Sequence, residues 1–333
     1  MKNHDTYKLS LSDDMHIING YNNIPDMYKK SVIAIGNFDG IHLGHKHLLN
    51  KVLEVANAED KKSGIITFDP HPKAYFGGLK NFHQVTTDAI KIEILEKLKI
   101  DVLFELSFDK SFSEMSPEEF FWEVIYKNLE ASHVIVGEDF RFGHERSGNV
   151  QKLEELCNSK NIGFDSIQKQ KDISSVIYSS SLVRANIKNG NIRDLTKLLG
   201  HYWYINGHVK HGKKKGTEMG FPTINIEFQD SLKLAHGIYA TNVYLEGKKY
   251  HGASYYGARP TFNDHGDILE TYIFDFGGDI YNLEVKIEFI DFIRQDQKFK
   301  NEEELKKQME IDCCNVRDKL QYYDKNTSLI DNS

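Results

Sequence analysis

The stretch Ile35-Gly36-Asn37-Phe38-Asp39-Gly40-Ile41-His42-Leu43-Gly44-His45 decides how this chain is read. Residues 31–35, Ser-Val-Ile-Ala-Ile, lead into it as a β-branched apolar run, the composition of a buried strand. The run stops at Gly36, an Asn-Phe-Asp-Gly turn follows, and residues 46–58 carry the apolar spacing of a helix. The pattern predicts a strand, a tight turn, and a helix whose start bears two imidazoles three residues apart on one face. A helix N-terminus with unpaired N–H groups and histidine donors suits a polyphosphate. A plain strand–turn–helix joint with incidental histidines accounts for His42 and His45 alone, but not for the Gly36–Gly40 turn in front of them. A zinc site leaves the same turn unexplained and lacks a third ligand.

Outward from this stretch, the first half alternates strand-like segments (31–35, 64–68, 102–106, 133–137) with helix-like ones (46–58, 87–98, 117–129). This rhythm predicts an α/β doubly wound, largely parallel sheet with helices on both faces. Ligands of such sheets sit at the carboxyl ends of the strands, where the histidine turn lies. From Trp203 onward the period becomes two: segments 204–209, 237–245, 249–255, 269–276 and 285–289 read as strands of an antiparallel barrel or sandwich. A last helix over 301–321, with Leu305, Met309 and Val316 apolar, packs against it. Residues 187–199 read as one amphipathic helix at the junction, giving domains 15–185 and 186–325.

The chain has 333 residues, room for two ordinary domains, with 40% hydrophobic and 27% charged residues as in soluble globular proteins. A net charge of −7 argues against nucleic-acid binding through bulk charge. No apolar run approaches the roughly 18 residues of a membrane span. Residues 1–14 are polar and unlike a signal peptide, and the tail from 326 is polar too. The three cysteines, Cys157, Cys313 and Cys314, suggest neither a disulfide framework nor a metal site. Cytoplasmic localisation, with no nucleic-acid or membrane partner, is the expectation, and a weak homo-oligomer is compatible with it.

Four further motifs carry polar chemistry. In Phe68-Asp69-Pro70-His71-Pro72, two prolines stiffen a loop after the second strand. Gly137-Glu138-Asp139-Phe140-Arg141-Phe142-Gly143 ends the fourth, with Phe140 and Phe142 read as core. Ser179-Ser180-Ser181-Leu182-Val183-Arg184 clusters hydroxyls at a helix start with arginine one turn on, a grip for β- and γ-phosphates; one serine alone would be a plain N-cap. In the second half, a basic loop punctuated by Gly212 and Gly216 precedes Gly220-Phe221-Pro222-Thr223-Ile224-Asn225; alone, these read as a surface hairpin and a turn.

Together the motifs resemble a known family. Gly-x-Phe-Asp-Gly-x-His-x-Gly-His looks like the nucleotide-binding signature of the nucleotidyltransferase superfamily. Its Phe-Asp-Gly form is similar to that of the bacterial bifunctional riboflavin kinase/FMN adenylyltransferases. The resemblance spans about residues 15–321, with both halves' motifs in family order. It implies a Rossmann-like nucleotidyltransferase domain followed by an antiparallel β-barrel riboflavin-kinase domain with a C-terminal helix. It implies ATP as co-substrate, Mg²⁺ as cofactor, and riboflavin, FMN and FAD as substrate, intermediate and product.

In the first half the resemblance assigns Gly36, Phe38, Asp39, Gly40, Ser180, Ser181 and Arg184 to ATP, and Pro70, Pro72 and Asp139 to the flavin. His42 and His45 would stabilise the transition state. In the second half it assigns Gly212 and Gly216 to ATP, Thr223 and Asn225 to Mg²⁺–ATP, Glu270 to the catalytic base and Arg294 to the flavin's surroundings. The segment 257–262, Gly-Ala-Arg-Pro-Thr-Phe, also matches. Thr217 and Asn282 depart from the family, which often has arginine and glycine there. They keep open a protein in which only the adenylyltransferase is fully active; a flavin-binding regulator is the reading from another class.

Overall fold

Val32, Ile33, Ala34 and Ile35 are all buried, as a central parallel strand covered on both faces requires. The computed structural model describes residues 15–78, 82–170, 177–210, 220–228, 233–258, 266–278 and 280–326. The expected extension 1–14 and the tail beyond Asn326 lie outside them. The described residues form two compact units, one within Met1–Phe82 and Lys91–Ile177, the other within His83–Ile90 and Tyr178–Ser333.

In the first unit, β1 (His16–Asn19), β2 (Val32–Ile35), β3 (Ser63–Asp69), β4 (Val102–Ser107), β5 (His133–Gly137) and β8 (Gly163–Ile167) form one sheet in the order β1-β4-β3-β2-β5-β8. Strands β6 (Arg141–Phe142) and β7 (Gly148–Asn149) make a separate small ribbon. Every pairing in the main sheet is parallel. The chain runs outward from β2 through β3 to β4, then returns to place β5 on the other side of β2. The strand order therefore reverses between β2 and β5, and a crevice at their carboxyl ends is where ligands of such sheets bind. Helix Leu43–Glu59 follows β2 and buries Leu48, Leu49, Val52 and Ala56 against the sheet.

Segment 117–129 is helical but not a regular α-helix throughout. One turn, Pro117–Glu119, closed by a Ser116/Glu119 capping box, leads into a π-helix, Phe120–Asn128. The wide turn is held by Leu129 N–H donating to the Val124 carbonyl at 3.0 Å and by Asn128 Nδ2 donating to the Glu123 carbonyl at 2.6 Å. It puts Phe120, Phe121, Val124 and Ile125 into the core together.

The second unit departs from the sequence expectation at its start. Residues 187–199 are not one helix: Ser180–Asn189 and Ile192–Leu199 are separate, divided at Gly190, where φ is 71°. That left-handed conformation favours glycine, and a Cβ there would approach the Ala235 Cβ to 3.2 Å. Beyond lie β9 (Tyr204–Lys210), β10 (Thr223–Glu227), β11 (Gly237–Leu245), β12 (Lys248–Ala258), β13 (Asp267–Ile273) and β14 (Glu284–Gln295), a closed antiparallel barrel in the order β10-β13-β12-β11-β14-β9. Pro222, just before β10, reads alone as part of a turn; pairing on both edges, which closes the barrel, makes Thr223–Glu227 a strand. Inside, the fully buried hydroxyls of Thr241, Ser254 and Thr271 bridge three strands at 2.8 and 2.7 Å. Helix Glu302–Lys325 lays Val316 and Leu320 over Ala240, Phe274 and Ile290 on the barrel's outside.

Candidate nucleotide and flavin sites

The opening motif sits at the carboxyl end of β2, at the point where strand order reverses. Gly36 N–H donates to the Ile66 carbonyl of β3 at 3.1 Å. The chain then turns through positive φ at Phe38 (49°), Gly40 (85°) and Ile41 (30°). Such strain in non-glycine residues persists where the surroundings over-determine it and marks functional loops. Phe38 and Asp39 are both 2% exposed.

His42 is the N-cap of helix Leu43–Glu59: its Nδ1 accepts the His45 N–H at 3.2 Å. Because Nδ1 accepts, the proton of the neutral ring must sit on Nε2. Burial pushes His42 down to about 4 and holds His45 well below the ordinary histidine range, His42 adding to the effect on His45. Both rings are therefore neutral at neutral pH. They stack with centroids 3.8 Å apart, and Phe38 meets His45 edge-on at 5.3 Å. The buried His45 Nδ1 and Asn37 Oδ1 have no hydrogen-bond partner among the described residues.

The Pro70–Pro72 loop follows β3 on the same edge of the sheet. His71 caps the short helix Pro72–Gly77, its Nδ1 accepting the Lys73 N–H at 3.0 Å. Next to it Tyr75, Phe76 and Phe108 form mutual edge contacts at 5.1 to 5.8 Å. Phe76 is 71% exposed. An exposed aromatic cluster beside two proline rings suits a flat apolar ligand. In the sequence only the nearness of Tyr75-Phe76 to Pro72, three residues before, hints at it; Phe108 joins through the fold. Asp139, past the end of β5, is exposed and ion-paired with Lys169 at 2.8 Å, so its carboxylate already has a cation. Phe140 and Phe142 stack at 5.6 Å; Phe142 is in the core, as expected, and Phe140 packs against it partly buried.

Of the serine cluster, Ser179 is the N-cap, accepting the Leu182 N–H at 3.3 Å. Ser181 is exposed and Ser180 half-buried on the first turn. Arg184 Nε donates to the His83 carbonyl at 2.7 Å. All four belong to the second unit, packed with the barrel.

On the barrel, cross-strand register does what sequence spacing could not show. Asn225 of β10 faces Glu270 of β13, and Glu270 faces Tyr255 of β12. The row continues to Lys210 of β9 on one side, and to Ile238 of β11 and Arg294 of β14 on the other. Leu269 and Thr271, which flank Glu270, are wholly buried, so Glu270 points to the outer face. Thr223 lies two residues from Asn225 on the same face. Glu270 has no hydrogen bond or ion pair among the described residues, and burial pushes its carboxyl up.

Arg294, which the resemblance places in the flavin's surroundings, is held by the C-terminal helix. Its fork holds both oxygens of the buried Asp312 at 2.8 and 2.6 Å and its Nη1 donates to the Gln295 carbonyl. It fastens the C-terminal helix to the barrel, in the same cross-strand row as Tyr255 and Glu270. Asn282 has φ 64°, a conformation that asparagine tolerates nearly as glycine does. The turn thus survives that departure. Gly212, Gly216, Thr217 and the segment 259–262 lie outside the described residues.

A family model for FAD synthetase matches residues 24–181, and one for riboflavin kinase matches 199–320. A bifunctional riboflavin kinase/FMN adenylyltransferase from Haemophilus influenzae is 33% identical over 302 residues, spanning 90% of this chain and 97% of its own. The chain belongs to the bifunctional riboflavin kinase/FMN adenylyltransferase family. A family member from Bacillus subtilis is 32% identical over 90% of this chain and 95% of its own. A crystal structure titled a macrolide-efflux protein from Streptococcus pneumoniae has the same fold, with a TM-score of 0.82 at 27% identity over 91% of this chain and 99% of that one. Among the described residues no helix is long and apolar enough to cross a membrane. Membership in the bifunctional family agrees with the two sets of motifs that the chain carries.

Proposed function

We propose that this chain phosphorylates riboflavin to FMN and adenylylates FMN to FAD, consuming ATP in both steps, with the activities divided as residues 186–325 and 15–185. The pairing of Asn225 with an uncommitted Glu270 on the barrel carries the kinase reading. Glu270 accepts the proton of the riboflavin 5′-hydroxyl as that oxygen bonds to the γ-phosphorus and ADP leaves. Thr223 and Asn225 offer hard oxygen donors on the same face, with no hydrogen bond to a described residue; they fit Mg²⁺, which when bound neutralises phosphate charge. In the other reaction an FMN phosphate oxygen bonds to the α-phosphorus of ATP and pyrophosphate leaves. That nucleophile is already anionic, so the unit's task is alignment and charge stabilisation. The His42 Nε2–H donor, with the ring held neutral and in one tautomer, serves that task. Ser180, Ser181 and Arg184 are assigned to the phosphates. The Tyr75/Phe76/Phe108 cluster with Pro70 and Pro72 is assigned to the isoalloxazine.

Localisation in the cytoplasm belongs to this reading. It is tested by incubating the pure protein with riboflavin, ATP and Mg²⁺ and separating the flavins by chromatography. FMN and FAD should both accumulate; absence of both overturns the reading. FAD from supplied FMN, with no FMN from riboflavin, would leave only the adenylyltransferase.

A further inference from the structure

Tyr255 lies directly beside Glu270 and has no role in the reading above. Its neighbours Ser254 and Tyr256 are wholly buried, so Tyr255 points to the outer face, where it is half-buried. Its ring lies along its own strand over Gly257: a Cβ on that glycine would sit 2.2 Å from the Tyr255 hydroxyl and 2.5 Å from Cζ. The Tyr255 hydroxyl donates to Asp296 Oδ2 at 3.2 Å, and Asp296 Oδ1 accepts the Gln297 N–H at 2.8 Å. The ring is thus pinned at its tip and laid flat by the missing side chain at 257. One neighbour across the strands is Glu270, the other Ile238, followed by the Arg294–Asp312 clamp.

We propose that Tyr255 is a specificity-determining residue of the kinase half, its ring being the surface on which the isoalloxazine of riboflavin stacks beside Glu270. The inference rests on the kinase reading of the barrel. A planar aromatic ring pinned in place loses little conformational entropy when a flat ligand stacks on it. The position beside the base ties recognition of the flavin ring to delivery of the ribityl hydroxyl. Stacking of the flavin ring involves no group of ATP, so the effect should fall on riboflavin. The phenol is pushed up by burial, by Asp296 and by Glu270, which places the base within electrostatic reach of the ring.

Steady-state kinetics of the full chain test this, with FAD formation from FMN as a control for an intact protein. Tyr255→Ala should raise the KM for riboflavin about tenfold and leave the KM for ATP within about twofold. Tyr255→Phe keeps the stacking ring and should stay within about threefold of the wild type. Tyr255→Leu keeps apolar volume without the ring and should behave as Tyr255→Ala. A riboflavin KM unchanged in the Ala or Leu variant, or riboflavin and ATP KM rising together, overturns the inference while the kinase reading stands. A wild type that makes no FMN overturns both.

Discussion

Asn225 on β10 stands directly across the ladder from Glu270 on β13, side by side on the outer face of the barrel. A neutral amide rather than a cation faces the carboxylate, so no ion pair holds Glu270 down, and burial pushes it up. An acidic group kept basic and uncommitted in this way is suited to accept a proton. Replacing Glu270 with Gln should lower FMN formation by at least about 10²-fold. FAD formation from FMN should be unchanged, as read by flavin chromatography with each substrate in turn. Full kinase activity in this variant would remove Glu270 from the mechanism.

The same pair predicts a pH dependence. Glu270 must be deprotonated to act, and its carboxyl sits above the ordinary value of 4.5. Kinase kcat/KM should therefore fall as pH drops through that raised value, at a higher pH than an ordinary glutamate would give. Asn225→Asp puts a second carboxylate opposite the first, and like charges disfavour ionisation. The acid limb should move to higher pH in this variant, and a limb that stays in place would mean that the residues do not interact.

In the first unit, the prediction concerns a donor rather than a base. With Nδ1 occupied by the His45 N–H, His42 offers a single Nε2–H. His42→Ala should lower FAD formation from FMN about 10²- to 10³-fold, the usual cost of losing one preorganised donor, and spare FMN formation from riboflavin. Equal loss of both activities would indicate damage to the whole protein instead.

His42 also couples stability to pH. Its folded value of about 4 lies below the ordinary 6.5, so between these limits the unfolded chain binds the extra proton. The contribution is fully present above about pH 6.5 and is lost as pH falls toward about 4, amounting to on the order of 3 kcal/mol. His42→Asn keeps an N-cap acceptor and does not titrate. The difference between wild-type and variant urea midpoints should shrink or reverse in the wild type's disfavour as pH is lowered through that window. Parallel pH profiles would contradict it.

Much of this was legible in the sequence because the decisive signals are local. Buried parallel strands show as apolar runs such as Val32–Ile35, and glycine turns fix where they end. Strand Thr223–Glu227 was not legible, since Pro222 just before it reads alone as part of a turn and only closure of the barrel makes the segment a strand. The break at Gly190 was hidden because the amphipathic pattern continues through it on both sides. The adjacency of Asn225, Glu270 and Tyr255 depends on register between strands far apart in sequence. The same holds for the Arg294 fork: its partner Asp312 lies on the last helix, and an arginine's spacing says nothing about which carboxylate will take it.

That fork yields the last prediction. Asp312 is 2% exposed, and it receives Arg294 at both oxygens and Gln308 Nε2 at 3.0 Å. Removing one member of a buried pair leaves the other uncompensated, typically at a cost of about 3 kcal/mol or more. Asp312→Ala should therefore destabilise the barrel unit by about 3 kcal/mol. Trp203, 2% exposed and donating to the Val85 carbonyl within that unit, reports its unfolding by fluorescence. The chain's other tryptophan, Trp122, is replaced by Phe in both proteins so that the signal belongs to one unit. Asp312→Asn should cost less, because an amide oxygen still accepts one guanidinium bond. A midpoint unchanged by Asp312→Ala would show that Val316 and Leu320 hold the C-terminal helix without the ion pair.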